Sequence, residues 1–284
     1  AADGSVAIGQ AALNAITSGG GNTAVGFEAG TTLTTGSNNT ILGYQAFNAM
    51  DTGNENVAIG KNALGSATHD SCNYNICIGT DAGNGIADVA VADCVIIGGL
   101  ASDATMTAAA AGTIAIGKSA LSALTSGAGN VALGYQAGVG LTTGQYNTIL
   151  GYGALDAATA NPSDNVAIGT DAMGGAIGAE VVDDCVAIGS GALSGALDSS
   201  GTGNESSGTV AIGRSALAAL TSGADNLAIG YGALDANTTA DGNLAIGRDA
   251  LGNLNHANSS KNTAIGAYSG DGMGTLDGSA ENIF

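Results

Sequence analysis

The sequence predicts an all-β fold, a parallel β-solenoid or β-roll of about fifteen coils of 17–19 residues, and three observations carry that expectation. First, a phrase of the form Asn-x-Ala-Ile-Gly-x-x-Ala returns along nearly the whole chain, as NTILGYQAF at Asn39–Phe47, NENVAIGKNAL at Asn54–Leu64 and NLAIGRDAL at Asn243–Leu251. Second, its shared glycine recurs from Gly9 to Gly266 mostly every 17 to 19 residues, with wider steps of 20 and 24 before Gly189 and Gly213. A fixed short period signals stacked units, each too small to bury its own apolar face. Third, 49 of the 284 residues are Gly, 45% are hydrophobic, 10% are charged and none is Trp. That composition is too apolar for a disordered chain and too poor in charge for an average enzyme.

The strand is the best defined part of each copy. Ile, Val or Leu always precedes the glycine, Ala usually stands two before it, and Val, Ile or Thr three before it, with Leu227 and Leu244 as exceptions. Alternation with a period of two puts Val57 and Ile59 on one face and Ala58 on the other. The expectation is that the large face fills the coil interior, while the Ala face lets a second backbone approach closely.

Four residues before the glycine stands Asn22, Asn39, Asn56, Asn75, Asn130, Asn147, Asn165, Asn226, Asn243 or Asn262, replaced elsewhere by Ser5, Cys94, Thr113, Cys185 and Thr209. Asn tolerates left-handed backbone and starts turns; stacked coil on coil, it could also form an amide ladder. The glycine permits a bend that a side chain forbids. Ala three residues later, from Ala12 to Ala250 and becoming Ser269 in the last copy, marks close packing. Segments such as NAITSGGGN and SALTSGAGN between the strands predict a turn with a second short strand or one helical turn. At the parallel strand spacing, fifteen coils would make an elongated rod of about 70 Å.

A longer repeat lies above the short one and divides residues 1–284 into internal blocks of about 5–112, 113–208 and 209–270, with a tail at 271–284. One continuous domain is expected, because no Pro-rich or charged linker separates the blocks and Pro162 is the sole proline. A net charge of −19 with five Lys and Arg argues against nucleic acid or an anionic membrane as partner. No apolar run reaches the length of about 18 residues that a membrane span needs. The start AADGS, without Met, suits either a processed N-terminus or a piece of a longer protein. The motif begins at residue 5 and persists to within twenty residues of the end without an evident cap, which fits either a longer fibre or copies stacked end to end.

The phrase Asn-x-Ala-Ile-Gly-x-x-Ala resembles the YadA-like head repeat of trimeric autotransporter adhesins. The longer form typified by NTILGYQAF, followed by a Thr-Thr-Gly turn, resembles repeats in the tail fibres of marine phages. The resemblance covers Ser5 to about Ser269. It implies a left-handed parallel β-roll in which three chains pack around one axis, hence a homotrimer. The coils here are longer than the adhesin-head repeat, which leaves handedness and coil shape open.

The column just after the glycine holds Phe27, Tyr44 and Lys61, then Lys118, Tyr135 and Tyr152, then Arg214, Tyr231 and Arg248, and so four of the five basic residues. Stacked, these would form an exterior strip of aromatic and cationic ladders. Contact with a glycan or receptor is one reading; a self-stacking ladder that stiffens the assembly is the other and the favoured one. His69 and His256 are far apart in sequence and read as loop residues, without a dyad or zinc site. Cys72 and Cys94 could meet between neighbouring coils as a disulfide, Cys77 reads as a buried thiol in the Ala column, and Cys185 has no obvious mate. Asp183 and Asp184 could join turn carboxylates around a structural Ca²⁺, but no spaced Asp loop supports it, and no cofactor is expected.

No catalytic constellation stands out, so the chain does not read as an enzyme. The Gly-rich turns lack the ending of a phosphate loop, and nothing singles out a carboxylate pair among 24 acids. The expected function is structural: an extracellular or virion fibre or adhesin shaft with glycan or receptor attachment. The alternative is a self-polymerising secreted surface filament of subunits stacked end to end. A tailspike-like polysaccharide-cleaving enzyme would need an acidic groove, and an ice-binding solenoid a regular Thr-x-Thr array, which is broken here. Expected partners are other copies of the chain and a cell-surface glycan or receptor; expected locations are the cell exterior, cell surface or virion.

Overall fold

The computed structural model describes residues 4–66, 72–86, 91–158, 161–177, 182–197, 206–255, 259–273 and 282–284. It is an all-β solenoid of fifteen parallel three-residue strands, in two compact units, residues 1–136 and 137–284. The first unit holds β1 (Val6–Ile8), β2 (Thr23–Val25), β3 (Thr40–Leu42), β4 (Val57–Ile59), β5 (Ile76–Ile78), β6 (Val95–Ile97), β7 (Ile114–Ile116) and β8 (Val131–Leu133). The second holds β9 (Thr148–Leu150), β10 (Val166–Ile168), β11 (Val186–Ile188), β12 (Val210–Ile212), β13 (Leu227–Ile229), β14 (Leu244–Ile246) and β15 (Thr263–Ile265). Within each unit, every strand pairs with its neighbour in the chain, residue for residue along the repeat, so Val57 faces Ile76 and Val210 faces Leu227.

The repeat glycine ends each strand because no other residue fits there. Gly60 has φ +134°, and a Cβ on it would lie 2.4 Å from the carbonyl oxygen of Gly79 in the next coil. Two left-handed residues then complete the corner, Asn62 and Leu64 in this coil and Ser119 and Leu121 three coils on, at φ between +50° and +56°. Left-handed backbone costs a residue with a side chain about 1–2 kcal/mol. Leu64 and Leu121 are fully buried by it, which offsets about 1.5–3 kcal/mol each. The corners are tied from coil to coil as the strands are: Asn62 N–H donates to Tyr44 O (3.0 Å) and Leu64 N–H to Ala82 O (3.0 Å). Turns make up most of the remaining coil. The expected second strand is reduced to isolated parallel bridges, Ile86 with Met106 and Ala158 with Ile177, and helical structure to single 3-10 turns at Ala108–Ala110 and Asp271–Met273 among the described residues. No helix among them is long and apolar enough to cross a membrane.

The facing of the strands is the reverse of the sequence expectation. Ala24, Ala58, Ala115, Ala132, Ala167 and Ala228 are completely buried inside the coil, while Val57 and Ile59 are half-buried on the outside and Leu133 is 42% exposed. Alternation fixes which residues share a face but does not say which face turns inward. The coil interior already receives Leu64 and its equivalents from the corner after the strand, and Leu33, Leu124 and Leu220 from the turn that follows, all buried. The strand wall has room only for a small side chain.

Exceptions to the small column are compensated one coil earlier. Where Ile41, Ile96 and Ile149 replace the inner Ala, the corner position of the preceding coil, normally Leu, is Gly30, Gly83 and Gly138. A Cβ on Gly30 would sit 2.9 Å from Ile41 Cδ1, and one on Gly83 3.3 Å from Ile96 Cδ1. The same pairing recurs at Gly270 and Phe284, where the distance is 3.3 Å to Phe284 Cδ2. The stretch expected as a tail, 271–284, therefore ends in another rung. Thr263 N–H donates to Asn282 O (2.7 Å), Phe284 N–H to Thr263 O (2.8 Å) and Ile265 N–H to Phe284 O (3.1 Å).

This volume exchange gives a prediction. Gly30→Leu and Ile41→Ala should each destabilise the protein, the first by overpacking and the second by about 2–5 kcal/mol through a cavity. The double variant should recover stability, with a coupling of about 0.5–3 kcal/mol in a denaturant double-mutant cycle. Additive losses would contradict the pairing.

Candidate functional site

The asparagine column forms a buried ladder. Asn39 N–H and Nδ2 both donate to Asn22 Oδ1 (2.9 and 3.0 Å), and the same Nδ2 donates to Gly53 O (2.7 Å) in the next coil. Asn56 repeats this on Asn39 (3.0 and 3.2 Å) and Cys72 O (3.0 Å), and Asn75 N–H continues it to Asn56 Oδ1 (2.9 Å). In the second unit Asn165 bonds to Asn147, Asn243 to Asn226, Asn262 to Asn243 and Asn282 to Asn262. All ten expected asparagines are buried, including Asn130, whose Nδ2 donates to Gly127 O (3.0 Å). Asn282 is an eleventh member, recognisable in the sequence only once residues 282–284 are seen as a rung.

Cysteine imitates half of this role. Cys94 N–H donates to Asn75 Oδ1 (3.1 Å), and its thiol points at Ala110 O (3.7 Å); Cys185 N–H donates to Asn165 Oδ1 (2.9 Å), and its thiol to Ser206 O (3.1 Å). The thiol replaces the amide donor but offers no strong acceptor to the next coil, so the ladder pauses there. Cys72 and Cys94, weighed in the sequence as a possible disulfide, are separate thiols in this structure: Cys94 is turned toward Ala110, and Cys72 sits in a different column, lending its carbonyl to Asn56. All four cysteines are buried thiols. Burial pushes Cys94 and Cys185 up to about 11, and Cys72 and Cys77 upward as well.

A second polar ladder lies two residues before the first and was not anticipated. Ser37 N–H donates to Asn54 Oδ1 (2.9 Å) and Asn54 N–H to Asn73 Oδ1 (2.8 Å); in the second unit Ser163 N–H donates to Asp183 Oδ1 (2.7 Å) and Ala224 N–H to Asp241 Oδ1 (3.0 Å). Here the side chain of one coil accepts from the coil before it, opposite in direction to the buried ladder. The recurrence of Ser, Asn or Asp two residues before the asparagine column is the sequence signal for it. Asp183, weighed in the sequence as a cation ligand and disfavoured, is engaged this way, and no group of three His, Cys, Asp or Glu among the described residues is arranged to hold a metal ion. His69 and His256 lie outside the described residues.

The exterior strip assembles as separate ladders in the two units. Phe27 and Tyr44 stack with centroids 5.2 Å apart and planes 11° apart, and Lys118 Nζ lies 5.9 Å from the ring centre of Tyr135. In the second unit, Arg214 (5.9 Å) and Arg248 (5.5 Å) lie over Tyr231, and Arg248 also lies 5.7 Å from Tyr268. Tyr268 stands one position later than the strip column, and a search of that column alone overlooks it. Lys61 is exposed one coil after Tyr44, and Tyr152 is exposed in the second unit. Ring faces are thus turned toward side chains of neighbouring coils, while the residues themselves stay exposed, Tyr44 at 48% and Tyr231 at 49%. The Arg248 Nε–Asp249 Oδ2 contact of 3.2 Å is a surface ion pair and contributes little.

Beside this ladder lies an open cavity of about 210 Å³ lined by Asp235, Asp249, Gly252, Asn253, Tyr268 and Asp271. Asn253 Nδ2 donates to Asp271 Oδ1 (2.7 Å). Partial desolvation, then the charges of Asp249 and Asp271, push the Asp235 carboxyl above the usual range.

No protein-family model, curated protein or solved structure matches the chain.

The carboxylates predict an unusual response to acid. Asp103, Asp156, Asp183 and Asp235 are all raised, chiefly by desolvation and with like-charged neighbours adding to it. A raised acid binds its proton more tightly when folded, so its contribution is most favourable below the unfolded value of about 3.9 and is lost as pH rises through the folded value. Thermal unfolding should therefore move to higher temperature as pH falls from about 7 to about 4, and Asp235→Asn should flatten that rise. A transition that falls on acidification over this range would contradict the sign.

Proposed function

We propose that the protein is structural and non-enzymatic, the shaft of an extracellular or virion fibre or adhesin in which copies associate side by side. The observation that carries this reading is the outward face of the strands. In each unit it repeats a pair of apolar or Thr side chains on every coil, with Leu42 at 47%, Leu133 at 42% and Leu150 at 41% exposure, set on a backbone that two polar ladders hold in register. Repeated apolar surface on a soluble chain marks an association face. Because the Ala column is consumed inside each coil, the side-by-side seam of a homotrimer falls on the Val, Ile and Leu face rather than on the Ala face. The aromatic and cationic strip serves this reading first as a stiffening ladder, since its ring faces are already stacked. A receptor or glycan would meet its edges and cationic groups.

Sedimentation equilibrium tests the lateral association. The expected mass is three copies, or a multiple of three; Val131→Asp with Leu133→Asp should reduce it to one copy, while Lys118→Ala leaves it unchanged. A single-copy mass for the unaltered chain at micromolar concentration would overturn this reading.

A further inference from the structure

The outward side of the coils carries opposite charge at its two edges. From Glu55 to Lys61, alternation turns Asn56 and Ala58 inward and Glu55, Val57, Ile59 and Lys61 outward, so the apolar pair of the strand is flanked by one residue on either side. The leading column, five residues before the repeat glycine, holds Glu55 and Asp93 in the first unit and Asp164, Asp184 and Asp225 in the second, all exposed, with Lys261 its one cation. The trailing column, just after the glycine, holds Lys61, Lys118, Arg214 and Arg248, all exposed, and no acid. Glu28, Asp81, Asp171 and Asp249 stand one position further on, at the corner. Gln45 Nε2 donates there to Glu28 (2.7 Å) and Asn62 Nδ2 to Asp81 (2.9 Å), and Asp249 pairs with Arg248 (3.2 Å).

The two edges also match in level. In the first unit Glu55 and Lys61 flank the same strand, β4. In the second, Arg214 and Arg248 lie over Tyr231 from the coils before and after it, at 5.9 and 5.5 Å from the ring centre. Asp225 is the leading residue of the coil that carries Tyr231. Lys118 has Gly112 at its level and no acid to meet.

We infer that the outward face of each unit takes a second copy of this chain running in the same direction and at the same level, with the acidic edge of one copy seated on the cationic edge of the next; this rests on the side-by-side association proposed above. A copy related by rotation about an axis along the coil stacking presents its trailing edge to its neighbour's leading edge. Glu55 then meets Lys61 of the second copy, and Asp225 enters between Arg214 and Arg248 of the second copy. A copy running the opposite way sets acid against acid, which opposes association. The charges also fix the level. The apolar pairs are nearly alike on successive coils, so a shift by one coil keeps the apolar contact, but it sets Glu55 against Tyr44 or Thr80. The apolar pair supplies the buried area, and the edges supply direction and register.

The test is cross-linking by a short bismaleimide of Glu55→Cys, of Lys61→Cys and of the chain carrying both, read on a denaturing gel beside the mass from sedimentation equilibrium. The native thiols are all buried, so the unaltered chain is the control. The expected result is multi-copy bands from the doubly substituted chain and single-copy bands from either variant alone. Multi-copy bands from Glu55→Cys alone would mean an antiparallel contact and overturn the inference. Single-copy bands from a doubly substituted chain that still sediments as several copies would do the same, with the lateral association left standing. A single-copy mass for the unaltered chain would instead remove the lateral association itself. Charge exchange gives a second readout. Asp225→Lys should weaken association at least about tenfold, and adding Arg214→Asp and Arg248→Asp to it should restore association to within about threefold. Lys261 occupies the Asp225 column at φ +60°, so a lysine fits the fold there; Glu55→Lys, in the same column, serves if Asp225→Lys loses its circular dichroism signal. Association unchanged by the lysine would overturn the pairing.

Discussion

The buried asparagine amide is the interaction on which the rest of this structure depends. A three-residue strand specifies its register weakly by itself, and a slip of one residue would turn every inner side chain outward. Asn39 prevents that slip by bonding three ways at once, to the coil before it through its own N–H and Nδ2, to the coil after it through Gly53 O, and as the acceptor for Asn56. A buried amide with every bond made stabilises modestly, whereas one left unpaired costs about 1–3 kcal/mol. Any other register leaves a column of them unpaired, and this asymmetry selects the native alignment.

Once register is held, the narrow lumen sorts the side chains. Ala enters from the strand, Leu from the corner, and the larger β-branched residues of the strand are left on the outside. The left-handed Leu64 and Leu121 show the balance at the corner, where unfavourable backbone is offset by full burial of the side chain. The outer face is thus a consequence of inner packing. Apolar residues stand at the surface because the interior has no room for them, and the chain then presents them on coil after coil in each unit. The strip of Phe27 and Tyr44 in one unit, and of Arg214, Tyr231, Arg248 and Tyr268 in the other, follows from the same register, since equal positions in successive coils must stack.

Much of this was legible in the sequence. The period, the strand position, the glycine bend, the asparagine column and the exterior strip all follow from aligning the copies, because each is set by local backbone geometry or by residue type at a fixed place. The direction of the strand faces was not legible, since Val57, Ala58 and Ile59 alternate identically whichever side faces in. The exchange between Gly30 and Ile41 is visible as a paired departure from two columns, but only when columns in successive coils are compared. Cys94 looked available for a disulfide because its column is defined by sequence, while the direction of its thiol is set by the carbonyl of Ala110 one coil later. Asn282 was hidden because its rung lacks the glycine used to align the others.

The most direct test of the account is the stability of Asn243→Ala measured by denaturant unfolding against that of Asn253→Ala. Asn243 Oδ1 accepts from both Asn262 N–H (2.9 Å) and Nδ2 (3.1 Å) inside the coil stack, whereas the Asn253 amide bonds to Asp271 at the surface. If the buried ladder holds the register, loss of Asn243 should lower stability by at least about 2 kcal/mol, since it strands buried donors. Loss of Asn253 should stay within about 0.5 kcal/mol. Equal, small losses for the two variants would mean that backbone pairing and lumen packing hold the coils in line without the asparagines, and the central claim would be wrong.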